Sequence, residues 1–139
     1  MNSTGNPVAT VANMERAPLV ILAYNRPDLL QSSLNSLKSC HLVEYSDIFI
    51  FCDGPKPGTS PEETGRVRSV RKIAKKVNFG NRVEVIEREV NLGLYDSVIR
   101  GVSEIMKIYT KAIVLEDDLI FAPNFLIFMN QALRSEEHT

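Results

Sequence analysis

The stretch Ala17-Pro18-Leu19-Val20-Ile21-Leu22-Ala23-Tyr24-Asn25-Arg26-Pro27-Asp28 decides how the rest of the chain reads. Leu19 to Tyr24 run without polar alternation, which marks a strand buried on both faces. The run breaks at Asn25-Arg26-Pro27-Asp28, where Asn25 can cap a helix and Pro27 can occupy its first turn. Leu30, Leu34 and Leu37 then fall at i, i+4 and i+7, predicting a helix of about four turns. A doubly buried strand followed at once by a one-sided helix is the opening of a parallel α/β sheet.

The same unit recurs downstream. Ile48–Cys52 is a second apolar run, closed by Asp53-Gly54-Pro55. Lys56–Gly65 is rich in turn formers and reads as a loop leading into a helix. From Pro61 on, Val67, Val70, Ile73, Ala74 and Val77 form an apolar stripe, with Arg66, Arg68, Arg71, Lys72, Lys75 and Lys76 on the other face. Gly80-Asn81 ends it and Val83–Ile86 begins a third strand. After the turn Asn91-Leu92-Gly93, residues Val98, Ile99, Val102, Ile105 and Met106 mark a third helix. Ala112–Leu115 predicts a fourth strand buried on both sides, running into Glu116-Asp117-Asp118. Pro123-Asn124 opens a last helix with Phe125, Leu126, Met129 and Leu133 inward.

Four strands, each followed by a helix, predict an α/β fold of Rossmann-like, three-layer type over residues 16–134, with a mostly parallel sheet. Residues 1–15, small and without periodicity, are expected to be a flexible leader, and 135–139 a tail without folding logic of its own. The chain stops just after the fourth unit, so a truncated fold is the expectation. Its 139 residues are one domain's worth, and 44% hydrophobic content is enough for a core. Sixteen Lys and Arg against seventeen Asp and Glu leave a net charge of −1, so no global basic field draws the protein to nucleic acid. The longest apolar runs are far too short to span a bilayer, and the start does not resemble a secretory signal. Cys40 and Cys52 are too few for a disulfide framework and read as buried thiols. A cytoplasmic protein, at most peripheral to a membrane, is expected.

Polar residues gather where the strands end: Tyr24-Asn25-Arg26, Asp53-Gly54, Asn91-Leu92-Gly93 and Glu116-Asp117-Asp118. In an open parallel sheet such ends converge on one crevice. Three successive carboxylates repel one another and resist burial, which a hard divalent cation would relieve. Side chains alternate at a strand end, so the three cannot share one ion; a solvated acidic turn remains the other reading. Asp53 can accept from the N–H edge of a base or simply hold its own loop. Asn91-Leu92-Gly93 allows a sharp turn into a helix whose free N–H groups suit an anion, although Asp96 nearby opposes one. No GxxxxGK[ST] or GxGxxG fingerprint is present, and neither His41 nor His138 sits at a strand end to build a nucleophilic triad. The basic face from Arg66 to Lys76 reads as a solvated helix surface.

Taken in order, AYNRP (23–27), FCDG (51–54), REVNLGLYDSVIRGV (88–102) and VLEDDLIFAPNFLIFMNQAL (114–133) resemble the N-terminal half of a GT-A-fold glycosyltransferase. The likeness extends to the family-2-type group and to the N-acetylglucosaminyltransferase I type, over residues 17–134. The resemblance implies a site for a nucleoside-diphosphate sugar, with a UDP-sugar favoured. Ala23, Tyr24 and Arg26 would line the nucleotide pocket and Asp53 would read the base. Asn91 and Gly93 would lie beside the diphosphate-sugar, Asp117 toward the ribose or sugar, and Glu116 would support the site. Asp118 would be the direct ligand of Mn²⁺ or Mg²⁺. The motif is E-D-D rather than D-x-D, and the acceptor site and catalytic base come in this family from a C-terminal half. The implied entity is therefore a donor-binding part, inactive or weakly active alone, with no catalytic base of its own.

Two other readings compete. A nucleotidyltransferase would carry a Gly-rich, basic loop after the first strand, which AYNRPDLL is not. A receiver-like regulatory domain would use Asp53 as phospho-acceptor, but wants its acidic pair after the first strand rather than the fourth. An incomplete sheet would also leave an apolar edge, which makes self-association an expectation.

Overall fold

A computed structural model of the protein describes residues 16–137; the expected leader, 1–15, and the last two positions lie outside the described residues. The strands are β1 (Leu19–Ala23), β2 (Asp47–Cys52), β3 (Arg82–Glu87) and β4 (Ile113–Glu116). The helices are α1 (Pro27–Lys38), α2 (Pro61–Lys75), α3 (Gly93–Ile105) and α4 (Phe125–Glu137), with a short 3-10 turn at Val43–Tyr45. The strands form one all-parallel sheet in the order β3-β2-β1-β4. Leu19 pairs with Ile48 on one side and Ile113 on the other, which makes β1 an interior strand. The expected α/β sheet of Rossmann-like layout is thus what the chain forms.

The order explains the burial. β1 and β2 occupy the middle, and every residue from Leu19 to Ala23 and from Ile48 to Cys52 is buried. Leu19, Ile21, Ala23, Ile48, Ile50 and Cys52 face a core completed by Leu30, Leu34 and Leu37 of α1, Val70 and Ala74 of α2, and Leu126 of α4. Val20, Leu22, Phe49 and Phe51 face the opposite side, where Ile105 and Val98 of α3 cover them. Among the described residues, three helices therefore lie on one face and a single helix on the other. That single helix carries the chain from β3 at one edge to β4 at the far edge. The strand order reverses between β1 and β4, the position at which open α/β sheets form a crevice.

Several local expectations need correcting. β4 is an edge strand whose faces differ: Ile113 and Leu115 are buried, whereas Val114 is 42% exposed. α3 packs over β1 and β2, and Val114 is not among the residues of that cluster, so the expected double burial is absent. Arg26, not Asn25, holds the N-cap position of α1, without a side-chain cap, and Pro27 is the first helical residue. α1 is 12 residues long, somewhat short of the expected four turns. The charged end of the chain is helical as far as Glu137, because Leu126 anchors α4 and the residues that follow, Arg134 and Glu136 among them, are good helix formers. Cys40 and Cys52 are free and buried, as expected, and burial pushes the Cys52 thiol up to about 11. Among the described residues no helix is long and apolar enough to cross a membrane.

Candidate functional site

The four strand ends do converge. A cleft of about 340 Å³ is lined by Ala23, Tyr24, Arg26, Asp53, Asn91, Gly93, Glu116 and Asp117, all eight of the residues expected at a nucleotide-sugar site. The expected metal ligand, Asp118, lies next to it, with one carboxylate oxygen 3.6 Å from the Arg26 guanidinium. Leu22, Asn25, Lys56, Leu94 and Ser97 complete the lining. Of these, Lys56 follows the β2 turn and Ser97 stands one turn into α3. Neither occupies a position that periodicity singles out.

Exposure alternates along the acidic motif, from Glu116 at the end of β4 into the turn at Asp117 and Asp118. Glu116 and Asp118 are exposed and Asp117 is 3% exposed, so the three carboxylates do not face one point. Burial is the main influence on Asp117 and pushes its carboxyl above the usual range; Arg26 acts in the opposite sense, and Asp118 adds to the rise. Arg26 donates to Asp117 Oδ1 at 2.5 Å and reaches Asp118 Oδ2 with its other amino group at 3.6 Å. One guanidinium thus spans two carboxylates of the motif across the switch point between β1 and β4.

Asp53 is held differently. Its side chain turns into its own chain: Oδ1 accepts from the Gly54 and Leu92 backbone N–H groups, both at 2.8 Å. Oδ2 accepts from the Gly93 N–H at 3.0 Å and from Asn91 Nδ2 at 3.2 Å. A carboxylate offers about four acceptor positions, and all are taken. Asp53 clamps the loop that begins α3, the loop-holding alternative of the two open for it. Asn91 Nδ2 also donates to the Gly54 carbonyl at 2.8 Å, so the two loops are cross-tied. Gly54 makes this approach feasible, since a Cβ there would stand 2.8 Å from the Arg88 and Glu89 carbonyl oxygens. Gly93 has φ +80°, a conformation that favours glycine.

Two further side chains brace the cleft. The Tyr24 hydroxyl donates to Glu63 of α2 at 2.7 Å, fixing the ring on the wall of the cleft. Ser60 accepts from the Glu63 N–H and caps α2, so Glu63 is itself positioned. Arg71, expected on the solvated face of α2, instead reaches under the site. It donates to the Arg88 carbonyl at 2.5 Å and the Asp53 carbonyl at 3.4 Å. Other members of that basic face are paired conventionally, Arg66 with Glu63 and Lys75 with Glu87. The surface reading of the stripe therefore holds for Arg66 and Lys75 but not for Arg71.

The donor set limits what metal the site can take. Among the described residues no group of three or more His, Cys, Asp or Glu side chains is placed to enclose a cation. Two carboxylates of the motif, Glu116 and Asp118, are exposed, so a divalent cation held here would have to draw most of its oxygen ligands from a bound anion and water. No family model matches the chain, and no curated protein matches it.

Proposed function

We propose that the chain is the donor-binding part of a GT-A glycosyltransferase, taking a nucleoside-diphosphate sugar with Mn²⁺ or Mg²⁺. One observation carries the reading: residues from all four strand ends, chosen from sequence for this role, line a single cleft at the switch point. A cleft of about 340 Å³ lies in the size range of small-molecule sites. A UDP-sugar is the favoured donor.

In this reading Asp118 holds the cation, which when bound neutralises charge on the departing nucleoside diphosphate. Arg26 stands beside it to meet phosphate oxygens, and Asp117, fixed by Arg26, faces the ribose or sugar. Glu116 supports the rim. Asn91 and Gly93 set the loop that leads into α3, whose first turn opens on the cleft beside Leu94 and Ser97. Ala23 and Tyr24 form the wall for the nucleoside. Asp53 acts by holding the 91–93 loop in place, and the base is met by the residues around it. The receiver-like alternative needs Asp53 free to accept a phosphoryl group, and its four hydrogen bonds weigh against that. Transfer of the sugar to an acceptor requires groups beyond those in this cleft.

Calorimetric titration of UDP and of GDP, with and without Mn²⁺, tests the proposal. Binding that needs both Mn²⁺ and Asp118, and fails in Asp118→Ala, is the expected result. Binding indifferent to the metal would reduce the acidic motif to a ribose contact. No binding to the folded protein would overturn the donor-site reading.

A further inference from the structure

Arg26 makes two unequal contacts with the acidic motif. Its bond to Asp117 is short, 2.5 Å, and that carboxylate is 5% exposed; its contact with Asp118 is 3.6 Å, and that carboxylate is 40% exposed. A long, solvent-facing ion pair is weak, whereas the shielded one is held by a charge-assisted hydrogen bond. The backbone of Arg26 is fixed at the start of α1, where its carbonyl accepts from Leu30 N–H at 3.0 Å. Its side chain is nonetheless 46% exposed, so the head group has room to turn. A guanidinium remains charged at any physiological pH and presents several N–H donors in a fixed fork.

We propose that Arg26 is the resident counter-ion of the acidic motif, competing with the divalent cation for Asp118 and yielding that carboxylate when a diphosphate enters the cleft. The inference rests on the donor-site reading above and concerns its regulation. Like charges cannot share Asp118 without repulsion, so the free protein holds a divalent cation weakly. A diphosphate offers the outer amino group of Arg26 a second anionic partner, and the turn away from Asp118 exchanges a long ion pair for a charged hydrogen bond. Asp117 keeps its own contact throughout, so the motif does not lose its shape. Metal and nucleotide then strengthen each other's binding reciprocally, and neither occupies the cleft well alone.

The test is Mn²⁺ binding followed by the electron paramagnetic resonance signal of the free ion, without nucleotide and with UDP. Arg26→Ala and Arg26→Gln should bind Mn²⁺ alone about tenfold more tightly than the unaltered protein, toward the low end of the usual coupling range. Their gain on adding UDP should be smaller. Arg26→Lys, which keeps the charge, should stay close to the unaltered protein. Gln retains an N–H donor for Asp117, so it serves where Ala leaves the buried carboxylate unpaired and the fold weakened. If UDP draws Mn²⁺ to the unaltered protein but Ala and Gln bind the metal alone no more tightly, the donor site stands and the role of Arg26 is overturned. If no variant takes up Mn²⁺ even with UDP, the donor-site reading fails and this inference with it.

Discussion

The Asp53 carboxylate accepts the Leu92 backbone N–H at 2.8 Å, joining the end of β2 to the start of α3 across 39 positions of sequence. Three further donors converge on the same carboxylate. Removing it leaves backbone N–H groups of a half-buried loop without an acceptor. Asp53→Ala should lower the stability of the fold by about 2–4 kcal/mol, read from urea unfolding. Asp53→Asn should fall between, since one side of its amide presents a donor to other donors. An Asp53→Ala protein as stable as the parent, with unchanged amide exchange at Leu92 and Gly93, would mean that the carboxylate does not hold the loop.

The two glycines of the cleft should fail for different reasons. Gly54→Ala forces a methyl against the Arg88 and Glu89 carbonyl oxygens at 2.8 Å, and should cost about 1–3 kcal/mol while parting the two loops. Gly93 has open space around it, so only its left-handed backbone matters. Gly93→Ala should cost about 1–2 kcal/mol, and Gly93→Asn less. Thermal unfolding of the three proteins ranks them, and equal losses for Gly93→Ala and Gly93→Asn would rule out backbone conformation as the cause.

Tyr24 and Glu63 should show opposite titration shifts. Burial, and then the hydrogen bond to Glu63, pushes the Tyr24 phenol up. The same bond is the main reason the Glu63 carboxyl lies below its usual range. A raised phenol contributes fully below the ordinary tyrosine range and loses that contribution as pH climbs through its folded value. A lowered carboxyl contributes above the ordinary carboxylate range and loses it as pH falls through its folded value. The pair therefore holds at neutral pH and releases at both extremes. In Glu63→Gln, phenolate absorbance should show Tyr24 ionising at lower pH than in the parent, yet still above an exposed tyrosine because burial persists. Identical curves for the two proteins would contradict the bond.

Val114 and Leu115 are neighbours on β4 with opposite fates. Leu115 is 3% exposed and faces the covered side; Val114 is 42% exposed. Leu115→Ala should cost about 2–5 kcal/mol, whereas Val114→Thr should change stability by less than about 0.5 kcal/mol. Denaturant midpoints separate the two, and a large loss at Val114 would mean that its face is covered.

The sheet was legible because β1 and β2 are covered on both sides, and unbroken apolar runs such as Leu19–Ala23 and Ile48–Cys52 suit a doubly covered strand and little else. The edge position of β4 was not legible. Ile113-Val114-Leu115 reads alike in the middle or at the margin, and only the pairing order decides. The cleft was legible as a set, since parallel strands bring their ends together whatever the side chains do. The pairings inside it were not. Asp53 turning back on its own chain, Arg71 crossing under the loops and Arg26 spanning two carboxylates all depend on residues distant in sequence. Lys56 and Ser97 carry no spacing signal, and only their place beside strand and helix ends hinted at the cleft.

Arg26 and Asp117 meet although 91 positions separate them, one near the first strand and one past the last. A small molecule lodged in that cleft would touch both, together with the loops after β2 and β3. It would act as a removable staple on the whole chain rather than a guest of one corner. Such a ligand, binding only the folded chain, stabilises all of it by mass action, about 2.7 kcal/mol at a hundred times its dissociation constant. The melting temperature of the protein thereby becomes an indicator of what it binds. A panel of nucleoside diphosphates and their sugar conjugates, compared with and without metal, could be ranked by melting alone.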